Sequence, residues 1–219
     1  MAYSLIVFDW DGTLMDSTGH IVFCMREAIQ KLGMPTLTDK QISHIIGLGL
    51  PEAVKTLYPD SNAIQAQALA DKYREIWLNH PFEAPLFANA RVVLQKLAAQ
   101  NIMLGVATGK SRRGLNKVLG ETGLGNMFVT TRCADESHSK PNPHMLNEIM
   151  DFCGVMPTET LMIGDTEFDL LMAKNAGTKS VGISHGAHDY ASLAACDPET
   201  IVDDLYGLES WLDSRYATF

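Results

Sequence analysis

Short apolar runs that break off at a polar residue, separated by stretches with helical spacing, constrain this chain more than any other feature. Leu5-Ile6-Val7-Phe8 stops at Asp9, Ile102-Met103-Leu104-Gly105-Val106-Ala107 stops at Thr108, and Leu161-Met162-Ile163 runs into Gly164-Asp165. Met127-Phe128-Val129-Thr130, Ser180-Val181-Gly182-Ile183 and Ile201-Val202 extend the series. Continuous apolar runs without alternation suit strands covered on both faces, as in a parallel sheet. Between them the spacing is helical: Val92, Val93 and Leu97 fall on one face, as do Met145, Ile149 and Phe152, and Leu170, Leu171, Ala173 and Ala176 lie within a third helix that Gly177 stops. This alternation predicts an α/β fold with a Rossmann-like, doubly wound parallel sheet.

One stretch breaks the rhythm. From Asp16 to His80 no strand pattern appears; Met25, Ile29 and Leu32 form one helical stripe, and Leu69, Tyr73, Ile76 and Trp77 another. The expected organisation is a core of residues 1–15 and 81–219, interrupted by an all-helical cap domain at 16–80. Asn79-His80-Pro81-Phe82 reads as the return hinge, because a residue before proline is driven out of the helical region. The alternative is that these helices simply pack on the sheet.

Charge and composition narrow the function classes. A formal net charge of -9 disfavours a nucleic-acid partner, which needs clustered Lys and Arg, but leaves room for one small anion at a local positive site. No apolar run approaches the length that spans a bilayer, and Met1 to Phe8 lacks the pattern of a signal peptide, so a cytoplasmic protein without a membrane partner is expected. Cys24, Cys133, Cys153 and Cys196 show no ligand or redox spacing and read as buried free thiols.

Four polar clusters stand at predicted strand ends or helix starts, the side of an open α/β sheet where ligands bind. In Asp9-Trp10-Asp11-Gly12-Thr13-Leu14 the strand delivers Asp9, Asp11 follows two residues later, and Gly12 permits a tight turn. Two neighbouring carboxylates call for a cation, and magnesium, a hard ion with oxygen ligands, suits them. Asp9 is placed to attack phosphorus and Asp11 to act as acid and then base; an acidic loop capping the helix near Ser17 is the plainer account. Thr108-Gly109-Lys110-Ser111 offers a hydroxyl and backbone N–H groups to a phosphate, or merely an N-cap at Ser111. Lys140-Pro141 supplies an ammonium that neutralises phosphate charge, or a solvated surface lysine. Gly164-Asp165-Thr166-Glu167-Phe168-Asp169 places Asp165 as a metal ligand and Asp169 as a ligand or support, or simply starts a helix with acidic residues.

Taken in order, these four clusters resemble the haloacid dehalogenase-like hydrolase superfamily over nearly the whole chain, the opening Phe8-Asp9-Trp10-Asp11-Gly12-Thr13-Leu14 being the most specific part. The subgroup most similar is phosphoglycolate phosphatase-like, with a helical cap inserted between the first and second motifs. The resemblance implies a Mg2+-dependent phosphatase that hydrolyses a small-molecule phosphate monoester through an aspartyl-phosphate. Asp9 resembles the nucleophile, and Asp11 the general acid/base whose backbone carbonyl also reaches the metal. Thr108 with Gly109 and Gly12 resembles the phosphate cradle, Lys140 the charge-balancing lysine, and Asp165, supported by Asp169, the metal carboxylate.

Four rivals remain open. Dehalogenases proper usually lack the second carboxylate, held here by Asp11; β-phosphoglucomutase-like relatives tend to carry Glu where Gly164 stands. A phospho-receiver shares the Asp, Thr, Lys and magnesium but is about half this length, and a silent binding protein would not need the full residue set. In the cap loop around His44 to Leu50 the family often presents Arg or Lys, whereas His44 is the cation nearest to hand here. Lys110, Arg112 and Arg113 either face the cleft or, more simply, lie on an exposed helix face; His185, His188 and Asp189 show no ligand spacing; Leu208, Trp211 and Leu212 predict a C-terminal helix against the core or a partner.

Overall fold

All four side chains of β1 (Leu5–Phe8) are fully buried, and the molecule is arranged about this strand. In the computed structural model, which describes residues 3–80, 82 and 84–216, β1 is flanked by β2 (Met103–Thr108) and β4 (Thr160–Gly164). With β3 (Thr130–Cys133), β5 (Lys179–Ile183) and β6 (Thr200–Val202) they form a sheet of order β3-β2-β1-β4-β5-β6, parallel throughout. The order reverses at β1, so the carboxyl ends of β1, β2 and β4 border the switch-point crevice.

Alternation along β1 splits its side chains between two cores. Ile6 and Phe8 pack with Leu104, Val106, Leu161 and Ile163 beneath α5 (Ala90–Ala99), α6 (Arg112–Thr122) and α10 (Leu205–Tyr216). Leu5 and Val7 face α7 (His144–Cys153) and α8 (Glu167–Ala176) with Ala107 and Met162. Each such buried aliphatic or aromatic side chain contributes about 1.5–3 kcal/mol, which is why continuous apolar runs become central strands. Gly177 ends α8 with φ 74°, as its sequence position predicts. Leu205, Leu208 and Leu212 of α10 are buried in the first core, so the C-terminal helix covers this chain's own sheet.

Residues 16–80 hold no strand; they form α1 (Thr18–Lys31), α2 (Asp39–Ser43), α3 (Leu50–Leu57) and α4 (Ala63–Asn79) around a separate apolar cluster of Cys24, Met25, Ile29, Ile42, Val54 and Leu69. Capping boxes at Thr38 with Gln41 and Asn62 with Gln65 start α2 and α4 by satisfying N–H groups the first turn cannot. The chain leaves and re-enters the sheet side by side: Asp16 N–H donates to Pro85 O and Phe87 N–H to Leu14 O, both at 2.9 Å. Pro81, the centre of the expected return hinge, lies outside the described residues.

Some sequence expectations shift. The run Met127–Thr130 is not the third strand; a 3-10 turn occupies Gly125–Met127 and β3 begins at Thr130. β3 is an edge strand with half-buried Thr130, Thr131 and Arg132, so it lacks the apolar run that marks a central strand. Val92 and Phe152 point to solvent, and the buried faces of their helices are instead Val93, Leu94 and Leu97, and Met145, Leu146, Ile149 and Met150. Cys24, Cys133 and Cys196 are buried and Cys153 half-buried, all as free thiols. Among the described residues no helix is long and apolar enough to cross a membrane.

Candidate active site

The ends of β1, β2 and β4 deliver Asp9, Thr108 and Asp165 to one place, with Lys140 arriving from the loop before α7. Asp9 follows β1 directly, its N–H donating to Ile163 O at 2.9 Å. The Lys140 ammonium, fully buried, stands 2.7 Å from Asp9 Oδ1 and 2.6 Å from Asp169 Oδ1. These are ion-pair distances off the hydrogen-bond directions, and Asp9 Oδ2 has no donor among the described residues. Asp9, Asp165 and Asp169 each bring an oxygen within 4.8 Å of the others.

Charge in this trio is unbalanced. Burial pushes the Asp9 carboxyl well above its usual range although Lys140 opposes it, and burial together with Asp169 raises Asp165 to about 7. Burial pulls on Lys140 in the other direction, but Asp169 and Asp9 outweigh it and hold the ammonium above its ordinary value. Three buried carboxylates sharing one ammonium, with an orphaned oxygen on Asp9, fit a divalent cation with oxygen ligands.

The two other acids are fixed by their neighbours. Asp165 Oδ1 accepts from Thr13 Oγ1 at 2.6 Å and Oδ2 from the Ala187 N–H at 2.8 Å. Asp169 Oδ2 accepts from Thr166 N–H at 3.1 Å and Oγ1 at 2.7 Å in a capping box, so the segment starts a helix while its acids lie beside Asp9. Gly12, at φ 85°, lies where a Cβ would come within 2.2 Å of Asp165 Oδ2; only glycine lets the first loop reach the fourth motif.

Asp11 faces elsewhere. Its Oδ1 accepts from Ser17 Oγ at 2.5 Å and from Lys110 Nζ at 2.8 Å, so its carboxylate is outside the acidic trio. Lys110 is therefore not on an exposed helix face: its side chain is nine-tenths buried and lies 5.0 Å from the Trp77 ring centroid of α4. Thr108 is buried, its Oγ1 accepting from Lys110 N–H at 3.2 Å, while Ser111 caps α6. Arg112 binds Glu136 and Thr131, and Arg113 is exposed.

The helical segment seats directly over these strand ends. A Cβ on Gly109 would meet Leu48 O at 2.5 Å and Gly47 O at 2.7 Å, and Gly49 N–H donates to Ser139 Oγ at 2.8 Å. His188, buried, accepts the Glu167 N–H on Nδ1 and donates from Nε2 to His44 O, both at 3.1 Å, which fixes a neutral tautomer; burial also lowers its basicity. His44 stacks on His188 at 4.8 Å and lies 3.7 Å from Glu167, away from Asp9. His185 stacks on Phe87 and reaches Thr13 O at 3.3 Å, steadying the residue that donates to Asp165. Both histidines thus have positioning contacts that their sequence spacing does not reveal.

A profile of haloacid dehalogenase-like hydrolases matches residues 6–183. The chain is 32% identical over 215 residues to the phosphoglycolate phosphatase of Vibrio vulnificus, covering 92% of each protein. It is 34% identical over 204 residues to the Dickeya dadantii protein named "Probable phosphatase IndB", covering 91% of this chain and 89% of that one. A hydrolase from Pseudomonas syringae superposes with a TM-score of 0.89 at 25% identity, covering 97% of this chain and 98% of its own. Sheet order, strand-end acids and sequence similarity over most of the length agree: the chain belongs to the haloacid dehalogenase-like hydrolases.

Proposed function

We propose that this protein is a Mg2+-dependent phosphatase that hydrolyses a small-molecule phosphate monoester through an aspartyl-phosphate on Asp9. The observation that carries the reading is the buried ammonium of Lys140 held between Asp9 and Asp169, beside an Asp9 oxygen left without a donor among the described residues. That arrangement keeps one carboxylate oxygen available while offsetting part of the charge of an incoming phosphate dianion. The similarity to phosphoglycolate phosphatases supports phosphate ester hydrolysis.

In this mechanism Asp9 attacks phosphorus and the ester oxygen leaves with a proton from Asp11, giving alcohol and aspartyl-phosphate. Asp11, now a carboxylate, takes a proton from water as the water oxygen attacks the same phosphorus, releasing phosphate and regenerating Asp9. Thr108 Oγ1 and backbone N–H groups beside Gly12 and Gly109 bind the phosphoryl oxygens. Asp9, the Asp11 carbonyl and Asp165 would hold magnesium, with Asp169 in support; the ion supplies Lewis-acid stabilisation of phosphoryl charge. The helical segment 16–80 serves as a cap domain on the core of 1–15 and 81–219, excluding water from the crevice through its contacts at Gly109, Ser139 and His188.

Phosphate release from a panel of monoesters, with and without Mg2+, beside the Asp9→Asn variant tests the proposal. Magnesium-dependent turnover in the native protein and none in the variant is expected. Turnover that survives Asp9→Asn would refute the covalent route.

A further inference from the structure

On its helical side, Asp11 faces a wall of rings. The Lys110 ammonium that pairs with Asp11 lies 5.0 Å from the Trp77 centroid; Trp77 is 4.5 Å from His20 and 5.9 Å from Tyr73. His20 in turn stacks on Phe82 at 4.3 Å and 16°, with exposed His80 flanking it at 5.2 Å. These rings come from α1, α4 and the return segment, and Trp77 and Tyr73 border the Asp11–Lys110 pair. Burial, with His80 and Lys110 nearby, lowers His20 to about 4, so it is neutral near pH 7. Burial and the charge of Asp11 push the Tyr73 hydroxyl well above its usual range, so it too is neutral.

Lys31 and Lys55 of the helical segment stand on its exposed surface, Lys55 against the Pro59 carbonyl, and its other Lys and Arg residues pair with acids. Arg26 pairs with Asp39, Lys40 with Asp189, Lys72 with Glu75 and Arg74 with Asp71. His44 turns to Glu167 and His188. Lys110, the ammonium beside the rings, is shared with Asp11. Four carboxylates, Asp9, Asp11, Asp165 and Asp169, thus share two ammonium groups, Lys110 and Lys140. A leaving group bearing its own carboxylate would have to compete with Asp11 for Lys110 beside apolar rings in a partly desolvated site. An uncharged leaving group with a planar apolar face would gain ring contacts.

We propose that Trp77, Tyr73 and His20 form a leaving-group subsite that selects phosphate monoesters of uncharged alcohols with a planar apolar face over acid-bearing esters such as phosphoglycolate. This selectivity rests on the phosphatase reading above. It separates this chain from what the names of its relatives suggest, and it places discrimination in side chains of α1 and α4 rather than in the loop around His44.

Three monoesters of primary alcohols, benzyl phosphate, ethyl phosphate and phosphoglycolate, test it with comparable leaving groups. The expected order of kcat/KM with Mg2+ is benzyl, then ethyl, then phosphoglycolate, with at least a tenfold gap between the first and last. Trp77→Leu should bring benzyl phosphate toward the ethyl value, chiefly through KM. Phosphoglycolate turned over as well as benzyl phosphate by the native protein would overturn the subsite while leaving the phosphatase intact. An unchanged benzyl-to-ethyl ratio in a folded Trp77→Leu protein would do the same. Absence of phosphate release from all three esters would overturn the phosphatase reading and the subsite together.

Discussion

Raising the pH from 4 to 7 should cost the metal-free protein stability relative to its Asp165→Asn variant, and Mg2+ should reverse that loss. Asp165 carries the clearest magnitude. Its carboxyl is raised from the ordinary 3.8 to about 7, by burial first and Asp169 second. A group whose folded value is raised binds more protons folded than unfolded between those two values. Stability therefore falls as pH climbs through that window, and is constant with respect to this group below 3.8 and above about 7. At about 1.4 kcal/mol per pH unit the span corresponds to about 4 kcal/mol, shared with the coupled Asp9. For a chain of this size that is a fall in Tm of roughly 8–16 °C. Thermal unfolding in chelator across the window reads it directly. Magnesium at about a hundred times its dissociation constant should restore about 2.7 kcal/mol at pH 7. Asp165→Asn should remove both effects: its amide can donate to Thr13 Oγ1 and accept from the Ala187 N–H, keeping the two contacts without the charge. A stability difference between native protein and Asp165→Asn that stays flat or rises from pH 4 to 7, or a magnesium effect undiminished in Asp165→Asn, would refute the reasoning.

Other perturbations separate the remaining residues. Asp11→Asn should cut turnover by about 10²–10⁴-fold, because one residue supplies both the proton and the base; single-turnover and steady-state rates should both fall. Lys140→Met should cost about 3–5 kcal/mol of stability in denaturant titration as well as activity, since it strands Asp9 and Asp169 in a fully buried site. An exposed lysine would cost neither. Gly109→Ala should raise KM, because its Cβ would collide with the backbone oxygens of Leu48 and Gly47 and lift the cap loop; an unchanged KM would show that the loop gives way freely.

What the sequence makes legible is set by burial along one element. β1, β2, β4 and β5 are covered on both faces, so their residues must be apolar until the strand emerges, and the first polar residue marks the crevice. Asp9, Thr108 and Asp165 stand out for that reason. β3 escapes the same reading because an edge strand with half-buried Thr and Arg need not be apolar. The spatial roles of Lys110, His185 and His188 escape it for a different one. Their partners, Asp11 and Trp77, Thr13 and Phe87, His44, lie far away in sequence, on segments that only the folded chain brings together. A lysine after Thr108-Gly109 reads locally the same whether it is solvated or pinned under an indole.

That difference bears on how chemistry and selectivity are divided in this chain. The acids and Lys140 meet at strand ends, and Asp9 with Asp165 sits on adjacent parallel strands whose register is fixed by the Phe8–Ile163 pairing. The rings of His20, Tyr73 and Trp77 belong to helices with their own apolar cluster, so they can vary without disturbing the sheet. Asp11 and Lys110 are where the two meet: Ser17 at the start of α1 donates to the same carboxylate oxygen that Lys110 pairs with beneath Trp77. A leaving group that displaces Trp77 must therefore also disturb Lys110 and the proton donor. Fit on the helical side is in this way coupled to catalysis through a single ion pair.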